Sequence, residues 1–149
     1  MELQENYLKV TGDVSIKLFA EDGTLKEERQ IKNLVVTSGK TYIAARMQGT
    51  SIPTVMSHMA IGTSSTTPAV AQTTLLVEAG RVALASFSSS ANQVTATATF
   101  PAGTGTGAIT EAGIFNAASA GTMLCRTTFP VVNKAAGDSI AVTWVITVS

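Results

Sequence analysis

Hydrophobic and polar residues alternate with a period of two through most of the chain after residue 54, which predicts β-strands. In SIAVTWVITV, residues 139–148, five large apolar side chains share one face: Ile140, Val142, Trp144, Ile146 and Val148. QVTATATF, residues 93–100, follows the same pattern with three threonines on its polar face. Regular alternation of this kind is typical of antiparallel strands that bury one face.

The first hairpin is predicted from Asp22-Gly23, which stands between two alternating runs. A two-residue turn there gives three favourable cross-strand pairs: Val14 with Ile31, Lys17 with Glu28, and Asp13 with Lys32. One apolar pair and two pairs of opposite charge support this register.

One helix is predicted, in TSGKTYIAARMQG at residues 37–49. Thr37 or Ser38 can cap its first turn, and Gly49 can end it. We expect two to three turns that close one end of the β core, with an apolar side made of Tyr42, Ile43 and Met47.

The strand and turn signals together predict an all-β fold, an antiparallel β-sandwich of jelly-roll-like topology with one short helix and an N-terminal arm. Residues 1–12 are the expected arm and residues 13–149 the single sandwich domain. We expect the arm to anchor in a neighbouring subunit and its removal to leave the sandwich folded. The expected anchors are Tyr7, Leu8 and Val10.

Charge is scarce and unevenly distributed. Charged residues make up 13% of the 149 residues, ten basic and ten acidic, against a usual share of about 25%. Seven of each sign precede residue 47. The absence of net charge gives no reason to expect a nucleic-acid or membrane partner. The charge-poor remainder is typical of a surface covered by partner chains.

The residue content argues against most enzyme classes. Cys125 is the single cysteine and His58 the single histidine, so neither a disulfide nor a metal site of paired ligands is expected. No glycine-rich or helix-terminal site lies near Cys125 in the sequence to lower its pKa and make it an activated nucleophile. GTGTG, residues 103–107, precedes no helix that could hold a phosphate. We therefore expect no catalytic residue, cofactor or metal. The first residues do not have the pattern of a signal peptide, so we expect synthesis in the cytoplasm.

Two charged pairs in the second half are interpreted structurally. If residues 116–121 form a hairpin loop, Glu111 lies opposite Arg126 and the ion pair fixes the strand register. Glu78 and Arg81 can either brace a loop or contact a neighbouring subunit. Both alternatives stay open on the sequence alone.

Three segments in order resemble small β-rich virion proteins of tailed bacteriophages: IGTSSTTPAVAQTTLLVEAGR, then VTATATFPAGTGTGAITEAGIFNAASAGTMLCRTTF, then SIAVTWVITVS. With NLVVTSGK, the resemblance covers residues 33–149. It implies a non-enzymatic virion subunit that forms a homo-oligomer, a dimer or trimer, and binds other virion proteins.

The first candidate within that resemblance is a capsid decoration, or cement, protein bound to the major capsid protein on the outer shell. The alternative is a tail, baseplate or fibre-attachment subunit. A third candidate is a receptor- or carbohydrate-binding module, which would require exposed aromatic side chains.

Overall fold

The structure, a computed structural model, describes residues 8–49 and 51–149. The strands in these ranges are β1 (Val10–Phe19), β2 (Leu25–Lys32), β3 (Leu34–Val35), β4 (His58–Gly62), β5 (Glu78–Ala83), β6 (Ser86–Ser90), β7 (Gln93–Phe100), β8 (Gly107–Phe115), β9 (Met123–Lys134) and β10 (Ser139–Val148). One helix, α1 (Thr37–Gln48), lies between β3 and β4.

The strands form two five-stranded antiparallel sheets. The first sheet has the order β2-β1-β10-β7-β6, and the second has the order β3-β9-β8-β4-β5. Hairpin partners stay in one sheet, and the chain crosses between sheets after β2, β5, β7 and β9. This arrangement confirms the predicted all-β sandwich.

The main core lies between the sheets and is built by the alternation read from the sequence. Trp144 and Phe100 on the first sheet, and Met59 and Ile114 on the second, are completely buried. The neighbouring residues of β10 and β7 face outward and are mostly threonine and serine. The faces assigned to residues 93–100 and 139–148 are therefore confirmed.

The strands of the first hairpin have the predicted register, but the turn is longer than the predicted two residues, because a register irregularity sets Phe19 opposite Leu25. All three predicted pairs occur: Val14 with Ile31, Lys17 with Glu28, and Asp13 with Lys32. Gly23 has the positive φ of 87° that the turn requires, and the backbone N–H of Thr24 donates to Asp22 Oδ1 at 2.9 Å.

Part of the segment expected to be an arm belongs to the first sheet. β1 begins at Val10, which pairs with Val148 and packs against the core of its own chain. Lys9 and Ser149 exchange two backbone hydrogen bonds. Leu8 is 74% exposed, and Tyr7 lies outside the described residues. Val10 is thus a core residue here, whereas the sequence suggested an anchor for a neighbour.

The helix begins and packs differently from the prediction. Gly49 ends it in the left-handed region, as predicted, but Val36 is the N-cap and supplies no side-chain bond. Ser38 Oγ instead donates to the carbonyl of Met123. Met47 is 80% exposed, so its predicted place on the buried side is wrong. A Cβ on Gly39 would lie 2.0 Å from the Leu124 carbonyl oxygen, so glycine allows the helix to approach β9.

Charged side chains of β2 in the first sheet bind main-chain groups of β9 in the second sheet. Arg29 donates from Nε to Pro130 O at 3.2 Å and from Nη2 to Val131 O at 3.0 Å. Glu27 Oε2 accepts from the backbone N–H of Asn133 at 3.3 Å. β3 pairs with β9 only at Cys125 and Arg126. The charged hairpin therefore satisfies main-chain groups that β3 is too short to reach.

Two truncations test where the arm ends. Removing residues 1–8 leaves β1 intact, so we expect an unchanged free energy of unfolding. Removing residues 1–11 deletes Val10 and its pairing with Val148, and we expect a loss of about 1–3 kcal/mol from one partly buried apolar side chain and its backbone bonds. Denaturant unfolding of the three proteins measures this. Equal stability of all three would contradict the assignment of Val10 to the core.

Candidate functional site

Glu111 and Arg126 lie on neighbouring strands, but not directly opposite each other. Glu111 pairs with Thr128 and Arg126 pairs with Gly113. The partners are displaced because Phe115 lies opposite Met123 and not Thr122, and because a register irregularity follows between Ile114 and Phe115. The predicted register is therefore wrong. The two side chains still meet: Arg126 Nε donates to Glu111 Oε1 at 3.2 Å, and both side chains are fully buried.

The Glu111 carboxylate binds a loop as well as an arginine. Oε2 accepts from the backbone N–H groups of Ser64 at 2.9 Å and Val77 at 3.0 Å. Oε1 accepts from the N–H of Leu76 at 2.9 Å. These donors stand at the two ends of the 63–77 loop, the connection between β4 and β5. One carboxylate thus holds both ends of the loop together.

Arg126 fixes the middle of the same loop. Its Nη1 donates to the carbonyl of Thr66 at 2.8 Å and to Gln72 Oε1 at 3.1 Å. Gln72 Oε1 also accepts from the N–H of Ala69 at 2.9 Å. The ion pair is therefore a clasp that fixes the 63–77 loop against the outer face of the second sheet.

Two glycines leave room for this clasp. A Cβ on Gly62 would lie 2.3 Å from the Val77 carbonyl oxygen and 2.9 Å from Glu111 Oε2. A Cβ on Gly113 would lie 3.1 Å from a methyl carbon of Leu75. Any side chain at Gly62 would force the loop off the carboxylate. Under the loop lies a second apolar cluster, formed by Val36, Ala60, Leu75, Phe115 and Met123.

Arg81 performs a similar role at the end of the hairpin. Its Nη1 donates to the carbonyls of Ala117 at 3.0 Å and Ala120 at 2.9 Å, and its guanidinium lies 3.8 Å from the centre of the Phe115 ring. Glu78 Oε1 accepts from Arg81 Nη2 at 2.6 Å. The Arg81 side chain is only 8% exposed. Its contacts are those of a loop brace, and Glu78 alone keeps substantial exposure.

The remaining charged residues after residue 46 are engaged too. Asp138 accepts from Lys26 Nζ at 2.8 Å and from the N–H of Ala135, and these bonds, the one from Lys26 foremost, hold the pKa of Asp138 below its usual value. Lys134 donates to the carbonyl of Pro101 at 2.9 Å, and burial lowers its pKa. All six charged residues of this region are thus bound within the chain.

Cys125 and His58 do not form a catalytic pair. Cys125 pairs with Ile114 and faces the main core, whereas His58 pairs with Phe115 in the adjacent row, on the opposite face of the sheet. Burial raises the pKa of the Cys125 thiol to about 12. The His58 ring is hydrogen-bonded to the hydroxyl of the adjacent Ser57 at 2.8 Å.

A surface cavity of about 620 Å³ lies between α1 and the 63–77 loop. Tyr42, Pro53 and Val70 line it together with serines, threonines and alanines. Apart from the Tyr42 phenol, no acid or base lines it within the described residues. Within residues 8–49 and 51–149, no three side chains of the types His, Cys, Asp and Glu lie close enough together to bind a metal ion. No helix in these ranges is long and apolar enough to span a bilayer.

The broadest candidate for recognition is a surface that the sequence analysis did not single out. The outward residues of β10, β7 and β6 form one uncharged sheet surface, called here the neutral face. It consists of Ser139, Ala141, Thr143, Val145 and Thr147, then Gln93, Thr95, Thr97 and Thr99, then Ser86, Ser88 and Ser90. The alternation in these segments gave the signal, but only the strand order joins them into one surface.

Comparisons with protein-family models, curated proteins and solved structures found no match for this chain.

A mutant cycle tests the clasp. Glu111→Ala leaves Arg126 buried without its partner and three N–H groups without an acceptor, so we expect a loss of about 3–5 kcal/mol in the free energy of unfolding. Arg126→Ala should cost a similar amount, and the double variant should cost less than the sum. Denaturant unfolding measures all three.

Glu78→Ala is the matched control for Glu111→Ala, because the Glu78 side chain is 37% exposed and its ion pair is part of the surface. We expect it to cost less than about 1 kcal/mol. Additive losses in the cycle would contradict energetic coupling between Glu111 and Arg126.

The raised pKa of Cys125 predicts a pH dependence. The thiol ionises near its ordinary value of 9.0 in the unfolded chain and at about 12 in the folded protein. Below pH 9 its contribution to stability is therefore fully present, and it is lost as the pH rises from about 9 to 12. Cys125→Ala should remove this part of the alkaline loss, which unfolding curves of both proteins from pH 8 to about 11 measure. Identical pH profiles would refute the assignment.

Proposed function

We propose that this chain is a structural subunit of a tailed-bacteriophage virion, and specifically a capsid decoration protein that binds the major capsid protein on the outside of the shell. The observation that carries the proposal is the neutral face. A lone soluble domain usually has charges interspersed over its surface. Here the charged side chains of the second half are bound internally, and a flat surface rich in threonine and serine is left uncharged.

The neutral face suits repeated attachment to a symmetric shell. Its hydroxyl groups can donate and accept hydrogen bonds without the desolvation cost of buried charges. The sandwich beneath it is held rigid by the main core and the clasp. Such a surface loses little entropy on binding. The sequence resemblance over residues 33–149 supports the same class of protein.

Stabilisation of the shell would follow from mass action. A protein that binds the assembled shell but not its dissociated subunits raises the free energy of disassembly with each bound copy. We propose that the chain is synthesised in the host cytoplasm and acts on the finished particle as a homo-oligomer. Leu8, at 74% exposure, is free within its own chain to contact a neighbouring subunit.

A tail or baseplate location would use the same surface with a different partner.

A carbohydrate-binding role has less support, because Trp144, Phe100 and Phe115 are fully buried. Phe87, 41% exposed, is the most exposed aromatic residue of the described ranges. A single half-exposed ring makes no stacking platform for a sugar.

Binding of purified protein to phage particles that lack it tests the proposal. Thr143 lies exposed on β10, the central strand of the first sheet, so Thr143→Lys and Thr143→Glu each add a charge to the neutral face. We expect each to weaken binding roughly tenfold or more, since the strands of the neutral face hold no charge that could pair with either sign. Met47→Lys is the control, because Met47 is 80% exposed on the helix. It should bind as the parent does.

Quantitative gel staining of purified particles separates the two locations. Hundreds of copies per particle are expected for a shell protein, and a few to a few dozen for a tail protein. Particles without the protein should lose their DNA at a lower temperature. Normal survival on heating would contradict a cementing role, and unchanged binding of both Thr143 variants would contradict the use of the neutral face.

A further inference from the structure

β6 is an edge strand with an open side. It pairs with β7, and no other strand within residues 8–49 and 51–149 adjoins it. All five of its residues, Ser86 to Ser90, are exposed. In an antiparallel edge strand, alternate residues direct their backbone N–H and C=O groups away from the sheet. These groups can accept another strand.

The other three edge strands of the sandwich carry the usual protection, and β6 does not. β3 is only two residues long, and very short edge strands are themselves a protection. β2 carries Lys26, Glu27, Glu28, Arg29 and Lys32 along its length. β5 contains Glu78 and Arg81 and has a register irregularity opposite β4. Charges and irregularities of this kind discourage edge-to-edge pairing. The sequence of β6, SFSSS, has no charge and no proline, and its register with β7 is regular.

Phe87 marks the inner side of this edge. It pairs with Ala96, a core residue, so its ring is on the side of β6 that faces the main core. Yet the residue is 41% exposed, because β6 is the last strand and nothing beyond it covers the ring. An added strand would cover both the backbone groups and the ring.

We propose that two copies of this chain associate through their β6 strands, antiparallel about a two-fold axis that passes midway between the two Ser88 residues. This register overlaps all five residues: Ser86 lies opposite Ser90, Phe87 opposite Ser89, and Ser88 opposite Ser88 of the second copy. Phe87 of each copy is then diagonal to Phe87 of the other, at a spacing of about 7–8 Å that aromatic rings can bridge. The first sheets of the two copies become one continuous sheet.

A second copy suits this edge better than a charged partner strand does. Identical uncharged strands bring no unpaired charge into the contact, and serine at both ends and the centre gives no steric conflict. An isologous two-fold contact also closes on itself and does not propagate into fibres. Because the axis is perpendicular to the sheet, the neutral faces of both copies lie on the same side. The dimer therefore doubles the neutral face, but its existence does not depend on the proposed virion role.

The size of the contact sets its strength. Two five-residue strands bury less than the roughly 1,200 Å² of a typical stable complex. The free protein should therefore dimerise weakly and reversibly, with a concentration-dependent mass between 15.4 kDa and twice that value. Sedimentation equilibrium up to about 1 mM covers the range in which such contacts form.

Charge variants locate the contact. Ser88→Lys places two lysines opposite each other at the axis and should weaken dimerisation roughly tenfold or more. Thr143→Lys adds the same charge to the same face two strands away from the edge, and should dimerise as the parent does. Because both positions are exposed, both variants should melt as the parent does. A monomeric parent at about 1 mM, or a Ser88→Lys protein that dimerises normally, overturns the proposal.

Single cysteines test the register directly. Ser88→Cys places two thiols directly opposite, at the Cα separation that disulfides span, and mild oxidation should give a covalent dimer. Ser90→Cys is the control on the same strand and face, because its thiols would lie about 13 Å apart, four residues along the strand. Cys125 is buried and unreactive in both. Equal cross-linking of the two variants, or none in Ser88→Cys, overturns the proposed pairing.

Discussion

The hydrogen bonds accepted by the Glu111 carboxylate are the interaction on which the outer layer of the second sheet depends. The carboxylate accepts hydrogen bonds from three backbone N–H groups, of Ser64, Leu76 and Val77, and from Arg126. A buried carboxylate is unfavourable unless its oxygens are bonded and its charge is paired, and here both conditions are met. Without it, the long connection between β4 and β5 would leave these N–H groups without partners over the apolar cluster. The clasp converts a fifteen-residue loop into a fixed layer of the fold.

The distribution of charge has a structural explanation that reaches from this clasp to the surface. In the first hairpin, charges protect an edge and bind main-chain groups of β9. In the second half, each charged side chain holds a loop, a turn or a strand end of its own chain. No charge remains for β10, β7 and β6, and their outward surface is neutral. For the same reason, β6 has no charged residue to protect its open edge.

The sequence-based expectations failed where an inserted residue or a local competitor changed the pattern. Ideal pairing predicted the partner of Glu111, but the shifted loop end and the irregularity between Ile114 and Phe115 placed Glu111 opposite Thr128. The long arginine side chain still reaches the carboxylate. Ser38 was predicted as a possible helix cap, but its hydroxyl donates to the Met123 carbonyl, which comes near Ser38 only when the chain is folded. Val10 appeared to belong to an arm because its flanking residues are polar, yet it pairs with Val148 at the other end of the chain.

The strand faces, the strand register of the Asp22-Gly23 hairpin and the stop of the helix at Gly49 follow from the amino-acid sequence alone, because each depends on residues near one another in the chain. Tertiary structure decided the order of strands in the sheets, the binding of the 63–77 loop to Glu111, and the union of three separate Thr- and Ser-rich strands into the neutral face. Alternation fixes which way a side chain points but carries no information on which strand lies beside it. That choice is made by long-range packing and by buried polar groups that must find partners, and both act only when the whole chain is folded.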